Sequence, residues 1–294
     1  MAFVIFDCSV CAVTTRKTIL FETMYFYPEK FEKLYKNGDA VILGIESSCD
    51  ETAAAVVRGG REILSSVISS QIDIHKRFGG VVPEIASRNH TMSINGVVAE
   101  ALDKAKLKFS DLDAIAVTYG AGLAGALLVG VSAAKAFAYA NKLPLIKVNH
   151  IEAHIAANFV QFKDLTPPFT AIVASGGHTS LINVNSFNDF SLVGGTVDDA
   201  IGEAFDKVAR LLGLPYPGGP NIDRLSKSGT PNINFFKTQK GVRKDLTLSY
   251  SGLKTAVVNY VHNLKQKGEP IPVEDVCASF THQAVDLLCE TALY

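Results

Sequence analysis

The chain carries almost no net charge: 28 Lys+Arg stand against 29 Asp+Glu in 294 residues, a formal charge of -1. That balance excludes a histone-like or broadly basic nucleic-acid binder and leaves a local basic patch as the route to phosphate. Cysteine is scarce too. Cys8, Cys11, Cys49, Cys277 and Cys289 are odd in number and follow no framework spacing, which suits a reducing compartment rather than a disulfide scaffold. Cys8 and Cys11 form a CxxC pair, but no second Cys or His pair follows at zinc-ribbon spacing. Residues 1–40 lack a basic segment, apolar stretch and small-residue cleavage site in succession, so no secretory signal is expected, and Glu22, Glu29 and Glu32 speak against a transit peptide. A membrane span is not expected either. Ala114 to Ala134 is free of charge, yet it holds Gly120, Gly122, Gly125 and Gly130 and is mostly Ala and Gly. It reads as a buried strand, a glycine turn and a tightly packed helix. With 48% hydrophobic and 19% charged residues, the chain is no disordered tail and can bury a core, divided between two domains.

Regular pattern begins at Val41. Strands are predicted over Val41–Glu46, Thr52–Val57 and Ile63–Ser69, the last two joined by the turn Arg58-Gly59-Gly60-Arg61. A helix follows from Pro83, in a first-turn position that tolerates proline, to about Lys106. Then come a strand at Ile115–Thr118, a helix at Leu123–Ala140 and a strand at Leu145–Val148, an order that implies a mixed sheet covered by helices. After Pro167-Pro168 a second unit starts with a strand at Phe169–Ala174, a glycine break and a partner strand at Leu181–Val184. Helices are predicted at about Asp199–Leu212, Asn221–Ser228, Gly252–Lys265 and from Val273 on.

His150 and His154 are four residues apart, so on a helix they share a face and suit one metal ion. Their place after the strand at Leu145–Val148 favours a site, because ligands gather at strand C-termini in α/β sheets. Glu152 is not adjacent to the first histidine, so the peptidase HExxH geometry is not met. Ser175-Gly176-Gly177-His178-Thr179 follows a buried strand, where glycine N–H groups can cradle an anion; Gly120-Ala121-Gly122 repeats the device. Asp198, Asp199, Glu203 and Asp206 crowd a helix start and complement its dipole, with Asp206 able to reach a ligand above the helix. Tyr216-Pro217-Gly218-Gly219-Pro220 leads into a helix whose Asp223 is placed to take ribose hydroxyls. Asp50 and Glu51 sit at the first turn. Lys237, Lys240, Arg243, Lys244 and Lys254, interleaved with Phe235, Phe236 and Tyr250, are the candidate contact to a phosphate backbone.

Taken together, these segments resemble one family. Gly44-Ile45-Glu46-Ser47-Ser48-Cys49-Asp50-Glu51-Thr52, Gly79-Gly80-Val81-Val82-Pro83-Glu84-Ile85-Ala86-Ser87-Arg88, the His150/His154 pair, the Ser175 loop, Gly202-Glu203-Ala204-Phe205-Asp206-Lys207, the Tyr216 loop and Ser251-Gly252-Leu253-Lys254-Thr255 follow the order of the TsaD family, tRNA threonylcarbamoyladenosine transferases once described as O-sialoglycoprotein endopeptidases. The resemblance implies an α/β, actin-like and Hsp70-like ATPase fold of ribonuclease-H-like type. Residues 1–40 would be an atypical extension, 41–148 the first domain and 149–294 a second, truncated one. Tyr27 to Ala40 faintly resembles the end of alanine acetyltransferases fused upstream of some relatives.

The implied reaction moves a threonylcarbamoyl group from threonylcarbamoyl-AMP to N6 of adenosine 37 in tRNAs reading codons that begin with A. The resemblance implies iron or zinc at His150 and His154. It gives the adenylate to Val173, Ala174, Ser175, Gly176, Gly177, Asp206, Gly219 and Asp223, admits ATP or ADP to the same cleft, and names no catalytic base. It also implies tRNA as substrate, TsaB-like and TsaE-like protein partners, and the cytoplasm. Two motifs depart from the family pattern: Gly120-Ala121-Gly122-Leu123 replaces Gly-Pro-Gly-Leu, and Asn149 stands where a histidine is common. The family's Asn-containing nucleotide loop and metal-binding aspartate lie beyond Tyr294, so the chain is expected to be an incomplete, inactive fragment with weak metal affinity. The competing readings are an actin-like ATPase or sugar kinase, a non-catalytic binding subunit, and a metallopeptidase.

Overall fold

The computed structural model describes residues 24–25, 38–235 and 245–294. The Cys8/Cys11 pair and most of the expected basic patch (Phe236, Lys237, Lys240, Arg243 and Lys244) lie outside the described residues.

The first sheet is built on a strand that is apolar on both faces. β1 (Met24–Tyr25) is an edge strand; β2 (Val41–Glu46), β3 (Glu51–Arg58) and β4 (Glu62–Ser70) form an antiparallel meander. β5 (Ala114–Gly120) adds to β2 in parallel, with Leu43 opposite Ile115, and β6 (Leu145–Asn149) adds to β5 in parallel. The sheet order is β1-β6-β5-β2-β3-β4. An antiparallel meander followed by two parallel strands on the far side of its first member is the ribonuclease-H-like arrangement of actin-like ATPase domains. The parallel pairs demand crossovers, which two long helices supply. α1 (Ile72–His75) is one turn; α2 (Pro83–Ala105) joins β4 to β5, and α3 (Ala124–Asn141) joins β5 to β6.

Alternation along the strands divides the core. Leu43, Ile45, Ile115 and Val117 pack with Ile94, Val97, Val98, Ala101 and Leu102 of α2 and Ala134 and Ala138 of α3. Ile42, Ala114, Ala116 and Ile146 point to the other face, as do Ala53, Ala55 and Val57, on which Val160 of α4 (His150–Gln161) rests. A strand buried on both sides reads as a continuous apolar run, and that is why β2 and β5 were conspicuous in the sequence. Among the described residues no helix is long and apolar enough to cross a membrane.

The chain divides into two compact units. Residues through Phe169 with Val184–Phe190 make the first, and Thr170–Asn183 with Ser191–Tyr294 the second, so α4 and both candidate metal ligands lie in the first. β7 (Phe169–Ala174), β8 (Thr179–Ser186), β9 (Asp189–Thr196) and β10 (Thr247–Leu248) form a second sheet in the order β10-β9-β8-β7. Apart from its share of this sheet, the second unit is helical: α5 (Ile201–Leu211), α6 (Gly218–Ser226), α7 (Tyr250–Lys267) and α8 (Val273–Leu293). Their shared core holds Val208, Ile222, Tyr250, Leu253, Val257, Val276, Phe280 and Leu288, with Phe205 edge-on to Phe280 at 4.8 Å between ring centroids.

Leu43 is fully buried between sheet and helices, whereas Leu128 of α3 is 65% exposed. Leu43→Ala should therefore cost about 2–5 kcal/mol, and Leu128→Ala less than about 0.5 kcal/mol. Denaturant midpoints of the two variants check this, and equal shifts would contradict the assigned core.

Candidate functional site

In the first unit, chemistry collects where β2, β5 and β6 end. β6 runs straight into α4, and Asn149 caps that helix by accepting the N–H of Ile151 at 2.8 Å and of Glu152 at 3.3 Å. The departure from the family pattern at this position thus has a local reason: Asn is a strong N-cap. The cap fixes the first turn of α4, which carries His150 and, one turn on, His154. Their rings meet edge to face with centroids 4.4 Å apart, and their Nε2 atoms are 3.0 Å apart. Two nitrogens each about 2.0–2.1 Å from one ion at a near-right angle would have that separation, so the pair fits two cis ligands of a divalent metal. Among the described residues no group of three His, Cys, Asp or Glu side chains is placed to hold one ion. Glu152 is exposed and takes no part in the pair.

The opposite edge of His150 meets the end of β2. Its Nδ1 lies 3.2 Å from Ser48 Oγ and 3.3 Å from Glu46 Oε2. Glu46 is 5% exposed; its carboxylate also accepts the Ser48 N–H and a hydrogen bond from Thr118 of β5. Burial alone would raise its pKa, but the hydrogen bonds of His150, Ser48 and Thr118 prevail and hold it below the usual carboxylate range. Motif spacing gave no role to Glu46, Ser48 or Thr118. The available signal was a charged residue closing an apolar strand, since a carboxylate there must find donors.

The turn after β2 is pressed against the start of α3. Leu123 donates its N–H to Ser48 O at 2.7 Å, and Ser47 Oγ donates to Ala126 O at 2.9 Å. A Cβ on Gly122 would lie 2.6 Å from the Ser48 carbonyl oxygen, and one on Gly130 only 2.3 Å from Ser47 Oγ. The glycine turn expected to bind an anion therefore packs on this turn. Behind it, the buried His90 lies 2.8 Å from Thr52 Oγ1 and 2.9 Å from the Cys49 carbonyl.

The second unit gathers the other expected residues. Val173 is buried at the end of β7, while Ala174, Gly176 and Gly177 are exposed. Ser175 closes this loop on itself, its N–H donating to His178 O at 2.8 Å and its Oγ lying 3.0 Å from the His178 nitrogen. A Cβ on Gly176 or Gly177 would meet nothing within 4 Å, leaving the loop backbone open to a ligand. Asp206 accepts the Gly218 N–H at 2.7 Å, so it holds the loop before α6; burial keeps its carboxyl above the usual range although the Gly218 and Gly219 N–H groups oppose that. Asp223 is exposed and pairs with Lys227 at 2.8 Å.

The acidic cluster behaves differently from the dipole complementation expected of it. α5 begins at Ile201, whose N–H bonds to Thr179 Oγ1 at 2.8 Å, so Asp198 and Asp199 precede it. Asp198 caps α7 instead, accepting from the N–H of Tyr250 at 2.9 Å and of Ser251 at 3.2 Å and from the hydroxyls of Ser249 and Ser251. Asp199 pairs with Lys207 and Lys254. Both carboxylates sit below their ordinary range: burial raises them, and these hydrogen bonds and lysines more than offset it. Lys254, expected in the basic patch, is committed to Asp199.

The family model described as TsaD, tRNA N6-adenosine threonylcarbamoyltransferase, matches residues 62–293. A protein of that name from Clostridium novyi (strain NT) is 57% identical over 256 residues, covering 87% of this chain and 75% of its own length. Another from Clostridioides difficile (strain 630) is 53% identical over 255 residues, with 87% and 75% covered. Among solved structures, component A of the (R)-2-hydroxyglutaryl-CoA dehydratase of Acidaminococcus fermentans is 14% identical, covering 86% of this chain and 78% of its own, with a TM-score of 0.49.

A Cβ on Gly202 would stand 2.6 Å from Ser175 O and 2.8 Å from Gly176 Cα. Gly202→Ala must push this backbone aside and should cost about 1–3 kcal/mol. Gly176→Ala, entering open space, should change stability by less than about 0.5 kcal/mol. Urea unfolding of both variants tests the packing, and a harmless Gly202→Ala would refute it.

Proposed function

Because the chain belongs to the TsaD family of tRNA N6-adenosine threonylcarbamoyltransferases, we propose that it takes part in moving a threonylcarbamoyl group from threonylcarbamoyl-AMP to N6 of adenosine 37 in tRNAs that read codons beginning with A. The observation that carries this reading is identity of 57% to a relative bearing that name, over most of both chains.

His150 and His154 would hold iron or zinc, and a divalent ion there supplies Lewis-acid polarisation of a carbonyl oxygen. In the second unit, the open Gly176-Gly177 backbone would bind the adenylate phosphate through its N–H groups. Val173, Ala174 and Ser175 would form the wall of that subsite. Asp206 would act mainly by holding the Gly218-Gly219 loop, with Gly219 against the nucleotide and Asp223 accepting ribose hydroxyls. ATP or ADP would use the same subsite. The exocyclic amine needs alignment more than activation, which these fixed loops can give. TsaB-like and TsaE-like partners complete the proposal, as does a cytoplasmic location; the near-neutral charge makes the tRNA contact local or shared with a partner.

Two measurements test it. The double variant His150→Ala/His154→Ala should lose stoichiometric zinc or iron and remain folded; unchanged occupancy would refute the metal assignment. A chimera in which residues 41–294 replace the matching stretch of the Clostridium novyi relative should form threonylcarbamoyladenosine when given threonylcarbamoyl-AMP, tRNA and the protein partners. A folded chimera that forms none would sink the transferase reading.

A further inference from the structure

An imidazole binds a metal through a nitrogen that carries no proton, so a ligand histidine needs its other nitrogen protonated. His150 and His154 face each other through Nε2, which leaves Nδ1 of His150 to settle the tautomer. Two oxygens lie near that nitrogen: Ser48 Oγ at 3.2 Å and Glu46 Oε2 at 3.3 Å. They make opposite demands. A serine hydroxyl can donate to a bare Nδ1 and so send the proton to Nε2. A carboxylate can only accept, and an Nδ1 lone pair turned toward it would be repelled. Glu46 is 6% exposed at its side chain, and its other oxygen takes the Ser48 N–H. The charged acceptor wins over the neutral hydroxyl.

We propose that Glu46 is a positioning residue that fixes His150 as the Nδ1–H tautomer and so presents its Nε2 lone pair to the metal. This rests on the metal reading of the His150/His154 pair. The contact between the histidines agrees with it. At 3.0 Å between Nε2 atoms one nitrogen must donate, and His154 can donate to His150 when His150 keeps its Nε2 bare. Carboxylates behind a ligand histidine hold the ring and raise its basicity, and their loss commonly weakens metal binding by about 10–100-fold.

Glu46→Gln keeps the shape and removes the charge. Its amide has one accepting oxygen, but three donors need one: the Ser48 N–H, the Thr118 hydroxyl and the His150 Nδ1–H. If the amide oxygen serves Ser48, its NH2 group faces Nδ1 and drives the proton to Nε2.

The test uses nitrogen-15 histidine spectra of the metal-free chain together with zinc titration by a competing chelator. The wild type should show His150 protonated on Nδ1, Glu46→Gln should shift it to Nε2, and Ser48→Ala should leave it unchanged. Zinc affinity should fall by about 10–100-fold in Glu46→Gln. A wild-type proton on Nε2 overturns the proposal even if Glu46→Gln fails to fold, as does a tautomer that follows Ser48→Ala. Equal zinc affinity in the wild type and a folded Glu46→Gln overturns the positioning role alone. A wild type that binds no zinc overturns the metal reading and the proposal with it.

Discussion

The Glu46 carboxylate is the constraint around which the first unit is arranged. Taking a carboxylate out of water costs several kcal/mol unless hydrogen bonds replace those it loses. Here the donors come from three places in the chain: Ser48 in the following turn, Thr118 on the parallel neighbour β5, and His150 at the start of α4. To bring them together, β5 must lie beside β2 and β6 must deliver α4 to the same sheet end. The Ser47–Ser48 turn must also fold back beneath α3. The turn obeys because the chain beside it is bare, with Gly122 and Gly130 leaving room for Ser48 and Ser47. Sheet register, glycine placement and the orientation of His150 are thus three aspects of one buried charge.

The second unit solves a related problem with different parts. Three aspartates near the start of α5 are drawn apart by their partners. Asp198 goes to the N-terminus of α7, Asp199 to Lys207 and Lys254, and Asp206 to the Gly218 N–H at the start of α6. Each tie runs from one element to the next, so the cluster staples α5, α6 and α7 around the core of Val208, Ile222 and Leu253. Helix N-termini leave unpaired N–H groups, and a carboxylate is the strongest acceptor available for them. What remains open is the Ser175–Gly177 loop, whose backbone is held by Gly202 while its two glycines face outward.

Most of this fold was legible because the strongest strands are apolar on both faces and the long helices are closed by recognisable signals. Val41–Glu46 and Pro83 are examples. β9 was not legible. Asp189 to Thr196 contains Gly194 and Gly195 and exposes Leu192, so neither burial nor alternation marks it; its glycines are there because Leu246 and Thr179 backbone atoms press on them. That His150 and His154 meet was legible from spacing alone, since four residues in a helix are one turn. The contact with Glu46 was not, because Glu46 and His150 are brought together through β5, by two parallel strand pairings that no local pattern announces. The same applies to Asp198, whose partners Ser249 and Ser251 lie some fifty residues away.

The charge-free stretch from Ala114 to Ala134 shows how one composition serves several levels. Its small residues deny a membrane segment the bulk it needs, and in the folded chain they become contact points. Ala114 and Ala116 let one face of β5 pack closely, Gly125 stands over Ser87 of α2, and Gly130 stands over Ser47. Larger residues would have pushed α3 away from β2 and broken the Ser47–Ala126 and Ser48–Leu123 hydrogen bonds. Without them the turn after Glu46 has no fixed position, and His150 has no fixed oxygen to face. The features that argue against a lipid environment are thus the ones that let a buried carboxylate and a histidine from distant strands meet.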